Sequence, residues 1–259
     1  MGKIAFVFCL LTGALGSPKA LARVFDFKEE SFAVYFRGTG GPSLLKDQSF
    51  RGAFDPSDVT LSSKAQYNLG GELGVLWALF PQTQLRLGFE ALQVKPAREA
   101  PGISGGGQTL LTLDSEVLLF HPNAVLEVNL IEESQWRAFL LGGSGWGMVH
   151  LTNDFALTSA GEVALGKDSF IEKSLASAWS WQAGLGGEWH FTDTSTVQLE
   201  AGYRSLLFSS LKLKSAVDSL AQGPTAAGET LLSFDGETRG LNLSGLYISF
   251  SFRFYIKFI

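Results

Sequence analysis

The chain has 259 residues, 46% of them hydrophobic, with 20 Lys and Arg against 25 Asp and Glu and a net charge of −5. That acidic balance argues against nucleic acid as a partner, which calls for a basic face. A single cysteine, Cys9, excludes a disulfide framework, and only the first residues hold an apolar run of any length, one too short for a membrane helix of about 20 residues.

Residues 1–22, MGKIAFVFCLLTGALGSPKALA, have the layout of a signal peptide. Lys3 gives a positive start, Ile4 to Gly16 an apolar run, and Ala20-Leu21-Ala22 a small-x-small cleavage site, with cutting expected between Ala22 and Arg23. Cys9 would leave with it, and so would any thiolate chemistry. Lys3 and Lys19 also go, so residues 23–259 carry 18 − 25 = −7 over 237 residues, a length that suits one all-β domain.

From there on, apolar and polar residues alternate with the period of a strand. Eight strands are expected, at 31–40, 65–79, 83–94, 109–131, 136–151, 175–191, 196–211 and 238–258. Tyr67, Leu69, Leu73, Val75 and Trp77 share one face of the second, opposite Gly70, Glu72 and Gly74. In the third, Leu85, Leu87 and Phe89 lie opposite Arg86, Gly88 and Glu90. The fourth changes parity near His121-Pro122-Asn123, where a proline that cannot donate to the ladder predicts a bulge or bend. The sixth sets Trp179, Trp181, Leu185 and Trp189 against Gln182, Gly184, Gly186, Glu188 and His190. The seventh sets Val197, Leu199 and Tyr203 against Glu200, Gly202 and Arg204. In the last, every even position from Leu246 to Phe258 is apolar, while Ser249, Ser251, Arg253 and Tyr255 take odd positions.

Connections alternate too. Tight turns at 80–83, 132–135 and 192–195 separate long Gly-, Ser-, Ala- and Asp-rich loops at 41–64, 95–108, 152–174 and 212–237, the pattern of an antiparallel up-and-down barrel with long loops at one end. Three pairs of aromatics, Tyr67 and Trp77, Trp136 and Trp146, and Trp179 and Trp189, are each ten residues apart. Ten tilted strand residues rise roughly 25 Å, the height of the apolar band between the aromatic girdles of a membrane barrel. In lipid every backbone polar group must be paired within the protein, so the sheet must close, last strand on first. The Phe-rich even face of the last strand would then meet acyl chains. A ten-stranded barrel would need a membrane hairpin in a long loop, and no loop has such an aromatic pair.

The signal peptide, the alternation of loop length and the closing strand LSGLYISFSFRF resemble those of the small eight-stranded bacterial outer-membrane barrels, the class that includes the OmpA transmembrane domain, OmpX and OmpW. Ser244-Gly245-Leu246-Tyr247-Ile248-Ser249-Phe250 is similar to the signal read by the barrel-insertion machinery, although the chain ends on Ile259 where such proteins usually end on an aromatic residue. The resemblance implies a monomer in the outer membrane of a Gram-negative-type bacterium, in contact with lipid and lipopolysaccharide, with long loops outside the cell and both termini in the periplasm. A surface protein or a small-molecule ligand would bind at the loops. It names no subfamily.

The inward face is expected to carry Glu72, Arg86, Glu90, Asp114, Glu116, Glu127, Arg137, Glu188, His190, Glu200, Arg204 and Arg253. An eight-stranded barrel is only wide enough for side chains to fill it, so these charges should pair in a core network, with glycines making room. That favours a plugged barrel with a structural or surface-interaction role over a narrow ion path. An inward Leu92, Val94 and Leu118 would suit an OmpW-like lateral opening for apolar ligands, and strands seven and eight are expected to protrude as a crown. A lipid-modifying enzyme ranks last. His150 sits near the rim, and none of His121, His150 and His190 has a Ser and an acid at a spacing that imposes hydrogen bonding. No cofactor or metal is expected.

Overall fold

The computed structural model describes residues 27, 31–42, 59–61, 67–94, 100–104, 106–219, 221–232 and 236–256. The expected signal peptide and its Ala22–Arg23 cleavage site lie outside them, as do most of 41–64 and the Tyr67 and Val94 side chains. Eight long strands form the barrel: β1 (Phe32–Pro42), β3 (Tyr67–Phe80), β4 (Thr83–Val94), β6 (Thr109–Glu132), β7 (Trp136–Leu157), β8 (Phe170–Thr192), β9 (Ser195–Phe208) and β14 (Gly245–Tyr255). Each pairs antiparallel with the next, and β14 pairs with β1 from Ala33↔Tyr255 to Gly40↔Ile248, so the ring has no edge. The three tight turns fall where the sequence puts them. The crown at the long-loop end holds β2 (Val59–Leu61), β5 (Ala100–Ser104), α1 (Ser159–Leu165), β10 (Lys212–Leu213), β11 (Val217–Ser219), β12 (Gly223–Thr225) and β13 (Leu241–Asn242). There β2 pairs with β5 and β5 with the upper part of β6.

Sidedness through the barrel is the reverse of a water-soluble protein. Leu69, Leu73, Trp77, Leu87, Phe89, Leu185, Phe250 and Phe254 are exposed, while Arg37, Glu72, Arg86, Glu127, Arg137, Glu188 and Arg253 are buried to within 1%. Burying so many charges while exposing aromatic and aliphatic side chains is unfavourable in water and favourable when the outer solvent is hydrocarbon. The fold is a transmembrane antiparallel barrel. The tryptophan pairs face outward at two levels, Trp136 beside Trp189 and Trp146 beside Trp179, the latter rings 6.1 Å apart and edge-on.

The bulge expected at His121-Pro122-Asn123 is absent. β6 pairs with β7 in one register from Leu111↔Leu157 through Phe120↔Met148 to Asn129↔Phe139, and its odd residues stay buried from Leu111 to Asn129. Chemistry changes there, not the pleat. Toward the turn the inward residues are mostly polar (His121, Asn123, Glu127 and Asn129, with Val125), whereas toward the loops they are mostly apolar (Leu111, Leu113, Val117 and Leu119, with Ser115). Asp114 and Glu116, expected inside, are therefore exposed on the outer wall, and so is Leu118.

The protruding strands are also different ones. β9 stops at Phe208 and β14 begins at Gly245, while β6, β7 and β8, with total lengths of 24, 22 and 23 residues, continue past them as a wall above the ring. The segment between β9 and β14 folds inward instead, because Leu211, Leu213, Leu231, Leu241 and Leu243 can be buried against Leu92, Val117, Leu119, Val149, Leu151, Leu206 and Phe208. α1 lies against β6, its N-terminus capped by the Thr158 hydroxyl, which accepts from the Gly161 amide at 3.1 Å.

Candidate functional site

The one concentration of chemistry among the described residues is the barrel interior. It is built in layers from alternate residues of all eight ring strands. Nearest the short turns, Glu188 accepts from Arg137 Nε at 2.9 Å, from Arg253 Nη1 at 2.8 Å and from the Tyr255 hydroxyl at 2.8 Å, and also from Thr196. Arg137 also donates to Gln84 at 2.7 Å. Below this layer Phe27, Ala33, Leu76 and Tyr255 form an apolar cluster, with Phe27 under the Arg137 guanidinium at 5.0 Å.

The middle layer centres on Glu200. It accepts from Arg37 at 2.9 Å, Arg86 at 2.8 Å, the Tyr247 hydroxyl at 2.8 Å and Gln198 at 3.2 Å. Arg86 reaches on to Glu127 at 3.0 Å, Glu127 takes Arg253 at 2.6 Å, and Glu72 takes Arg37 and Tyr35. In the top layer Glu90 is shared by Arg204 at 2.5 Å and His121 Nδ1 at 3.1 Å, and His121 Nε2 meets Ser180 Oγ at 2.6 Å.

The charges balance: five guanidiniums (Arg37, Arg86, Arg137, Arg204, Arg253) face five carboxylates (Glu72, Glu90, Glu127, Glu188, Glu200), every one at most 5% exposed. Balance is what makes such a network tolerable, because an unpaired charge in a low-dielectric interior costs several kcal/mol. Glycines supply the space. At Gly74 a Cβ would come within 2.5 Å of the Tyr35 hydroxyl, and at Gly88 it would meet both Glu72 and Tyr35.

Of the inward residues expected from sequence, the structure joins Glu72, Arg86, Glu90, Glu127, Arg137, Glu188, Glu200, Arg204 and Arg253 in this network and places Asp114 and Glu116 outside it. Sequence reasoning missed Tyr35, Arg37 and His121. Arg37 lies on the inward face of β1, in register with Glu72 on β3 and Ser251 on β14. The alternation of Ala33, Tyr35 and Arg37 against Val34 and Phe36 was the available signal.

Ser180, His121 and Glu90 have the connectivity of a Ser–His–acid triad, which no spacing in the sequence reveals. All three are at most 2% exposed, and Ser180 sits across from Gly145 and Leu206 inside the wall. Glu90 is committed to Arg204. The arrangement belongs to the top of the network, with all three side chains buried among its other members. His150 points outward, edge-on to Phe120 at 6.4 Å.

Above the network the buried leucines and Phe208 form an apolar plug, inward Leu92 among them. Beyond the plug a second buried pair, Arg239 with Glu172 at 2.9 Å, ties the last long loop to β8, and Asn153 links Glu172 to Ser115.

No family model and no curated protein match the sequence. Solved structures are similar in fold. The outer membrane protein OprG from Pseudomonas aeruginosa is similar at 13% identity over 90% of this chain and 100% of its own, with a TM-score of 0.47. A major outer membrane protein from Thermus thermophilus matches at 10% identity over 86% of this chain and 99% of its own, TM-score 0.47. Ail, the attachment invasion locus protein of Yersinia pestis, matches at 10% identity over 87% of this chain and 98% of its own, TM-score 0.39. The barrel is closed by this chain's own ladder, β14 on β1.

Proposed function

We propose that the protein is an integral outer-membrane barrel with a closed interior, and that it acts through its surface and long loops and not through a lumen. One observation carries this: buried side chains are stacked along the inside of the ring, the Phe27–Tyr255 cluster, then a neutral network of ten charged side chains, then the apolar plug. A conducting path needs polar groups with room for water or an ion beside them. Here the carboxylates accept from guanidiniums and hydroxyls of the barrel itself, and the layer above them is mostly leucine. The outer membrane is the site this architecture fits, because closed barrels of eight antiparallel strands with short turns at one end and long loops at the other are built for it. In that orientation the wall of β6, β7 and β8 stands outside the cell as the surface for a partner or ligand, both termini are periplasmic, and residues 1–22 direct export. The Ser180–His121–Glu90 trio has a structural role in this reading. Single-channel recording on the refolded protein tests it: no steady current is expected, and a reproducible current would overturn it.

A further inference from the structure

The outer wall of the crown carries two charge trios, one acidic and one of lysines. On β6 and β7, Asp114 lies directly opposite Asp154, and Glu116 is two residues along from Asp114. On the far side of the β7–β8 seam, Lys173 lies opposite Thr152, and the Lys214 amide donates to the Lys173 carbonyl at 2.8 Å, which sets those two lysines side by side. Lys212 sits opposite Leu175, next to both. All six side chains are exposed.

The two trios stand at one height. Asp114 is 18 residues from Glu132, the turn end of its strand, Asp154 is 18 from Trp136, and Lys173 is 19 from Thr192. Asp154 and Lys173 stand on adjacent strands, one diagonal step apart, while Glu116 and Lys173, on either side of Thr152, are roughly 10 Å apart, about two strand spacings. A membrane holds every copy of a barrel upright, so two copies can meet only about an axis along the membrane normal. Such a two-fold keeps height and exchanges left with right. It therefore sets the acidic trio of each copy against the lysine trio of the other, twice over, as a closed isologous contact requires. Thr152, His150 and Leu175 lie on the seam that would run along the axis, with exposed Met148, Trp146 and Trp179 beneath them.

We propose that this wall is a self-complementary interface through which two copies of the chain pair side by side in the membrane. The proposal departs from the monomer expected from sequence, and it rests on the reading of the barrel as membrane-spanning. It is tested in proteoliposomes with a carbodiimide, which joins touching carboxylates and amines directly. The wild-type protein is expected to give a cross-linked dimer. D114K/D154K and K173E/K214E should each lose it by roughly tenfold or more, because each sets like charge against like. Mixing the two variants before reconstitution should restore a heterodimer, a rescue that neither misfolding nor a purely structural role would produce. Inserted, heat-modifiable wild type that stays monomeric overturns the interface alone. Failure to insert overturns the membrane reading with it. Weakened binding of lipopolysaccharide by K173E/K214E, without rescue on mixing, would overturn the pairing in favour of an anionic lipid as the occupant of the lysines.

Discussion

Replacing Arg86 by Met, which keeps much of its length and removes its charge, tests the central layer of the network. Arg86 is fully buried and bridges Glu127 at 3.0 Å and Glu200 at 2.8 Å. Without it the interior holds four guanidiniums against five carboxylates. Glu127 keeps Arg253 and Glu200 keeps Arg37, so no carboxylate is left wholly unpartnered, but the layer carries one uncompensated negative charge. Breaking a buried pair on one side costs about 3–5 kcal/mol. Glu200→Gln alone leaves the opposite imbalance and presents an amide to the guanidiniums, for a loss of about the same size. In the double variant the count returns to four against four. The coupling between the two sites should therefore be large, with the double variant roughly 2–3 kcal/mol more stable than the sum of the single losses predicts. The assay is urea unfolding in lipid vesicles, followed by tryptophan fluorescence and by heat-modifiable gel migration. Single losses below about 1 kcal/mol that simply add would refute the reasoning, since they would mean that water already solvates Arg86 and Glu200.

Other consequences are simpler to read. Gly88→Ala should destabilise the barrel by about 1–3 kcal/mol, because its Cβ meets Glu72 and Tyr35, whereas Gly142→Ala, with open space around it, should be silent in the same titration. Leu185→Arg, on the outer face between the two tryptophan levels, should cost about 2–4 kcal/mol of stability in vesicles, while Ser177→Arg, exposed above the Trp146–Trp179 level, should cost little; equal effects would contradict the assigned lipid zone. Phe208→Ala, at the centre of the plug, should cost about 3–5 kcal/mol, and a silent substitution would mean that the plug is not packed.

The eight strands, their turns and both faces of most of them could be read from alternation alone, because a barrel in lipid repeats one rule around the ring. The rule fails where the outer solvent changes. Along β6 the inward residues go from Glu127 and His121 to Leu119 and Leu113 without a break in the pleat, so assigning sides by polarity flips Asp114 and Glu116 to the wrong face and suggests a bulge at Pro122. The fold of the last long loop was not legible either. Leu211, Leu231 and Leu243 are spaced too irregularly for any period, and their burial depends on a chamber formed by the surrounding strands. The network was half legible for the same reason. Each inward charge could be placed on its strand, but its partner is chosen across the lumen, as Arg86 chooses Glu200 and Arg204 chooses Glu90, and spacing along one chain does not encode that distance.

The claim of a closed interior is tested most directly by single-channel recording of the folded protein in a planar lipid bilayer, with heat-modifiable migration confirming the fold of the same sample. The account predicts a silent membrane, for wild type and for Glu90→Gln alike. A steady, reproducible current that Glu90→Gln or Arg204→Ala alters would contradict it, because those side chains would then line a path and not fill a core.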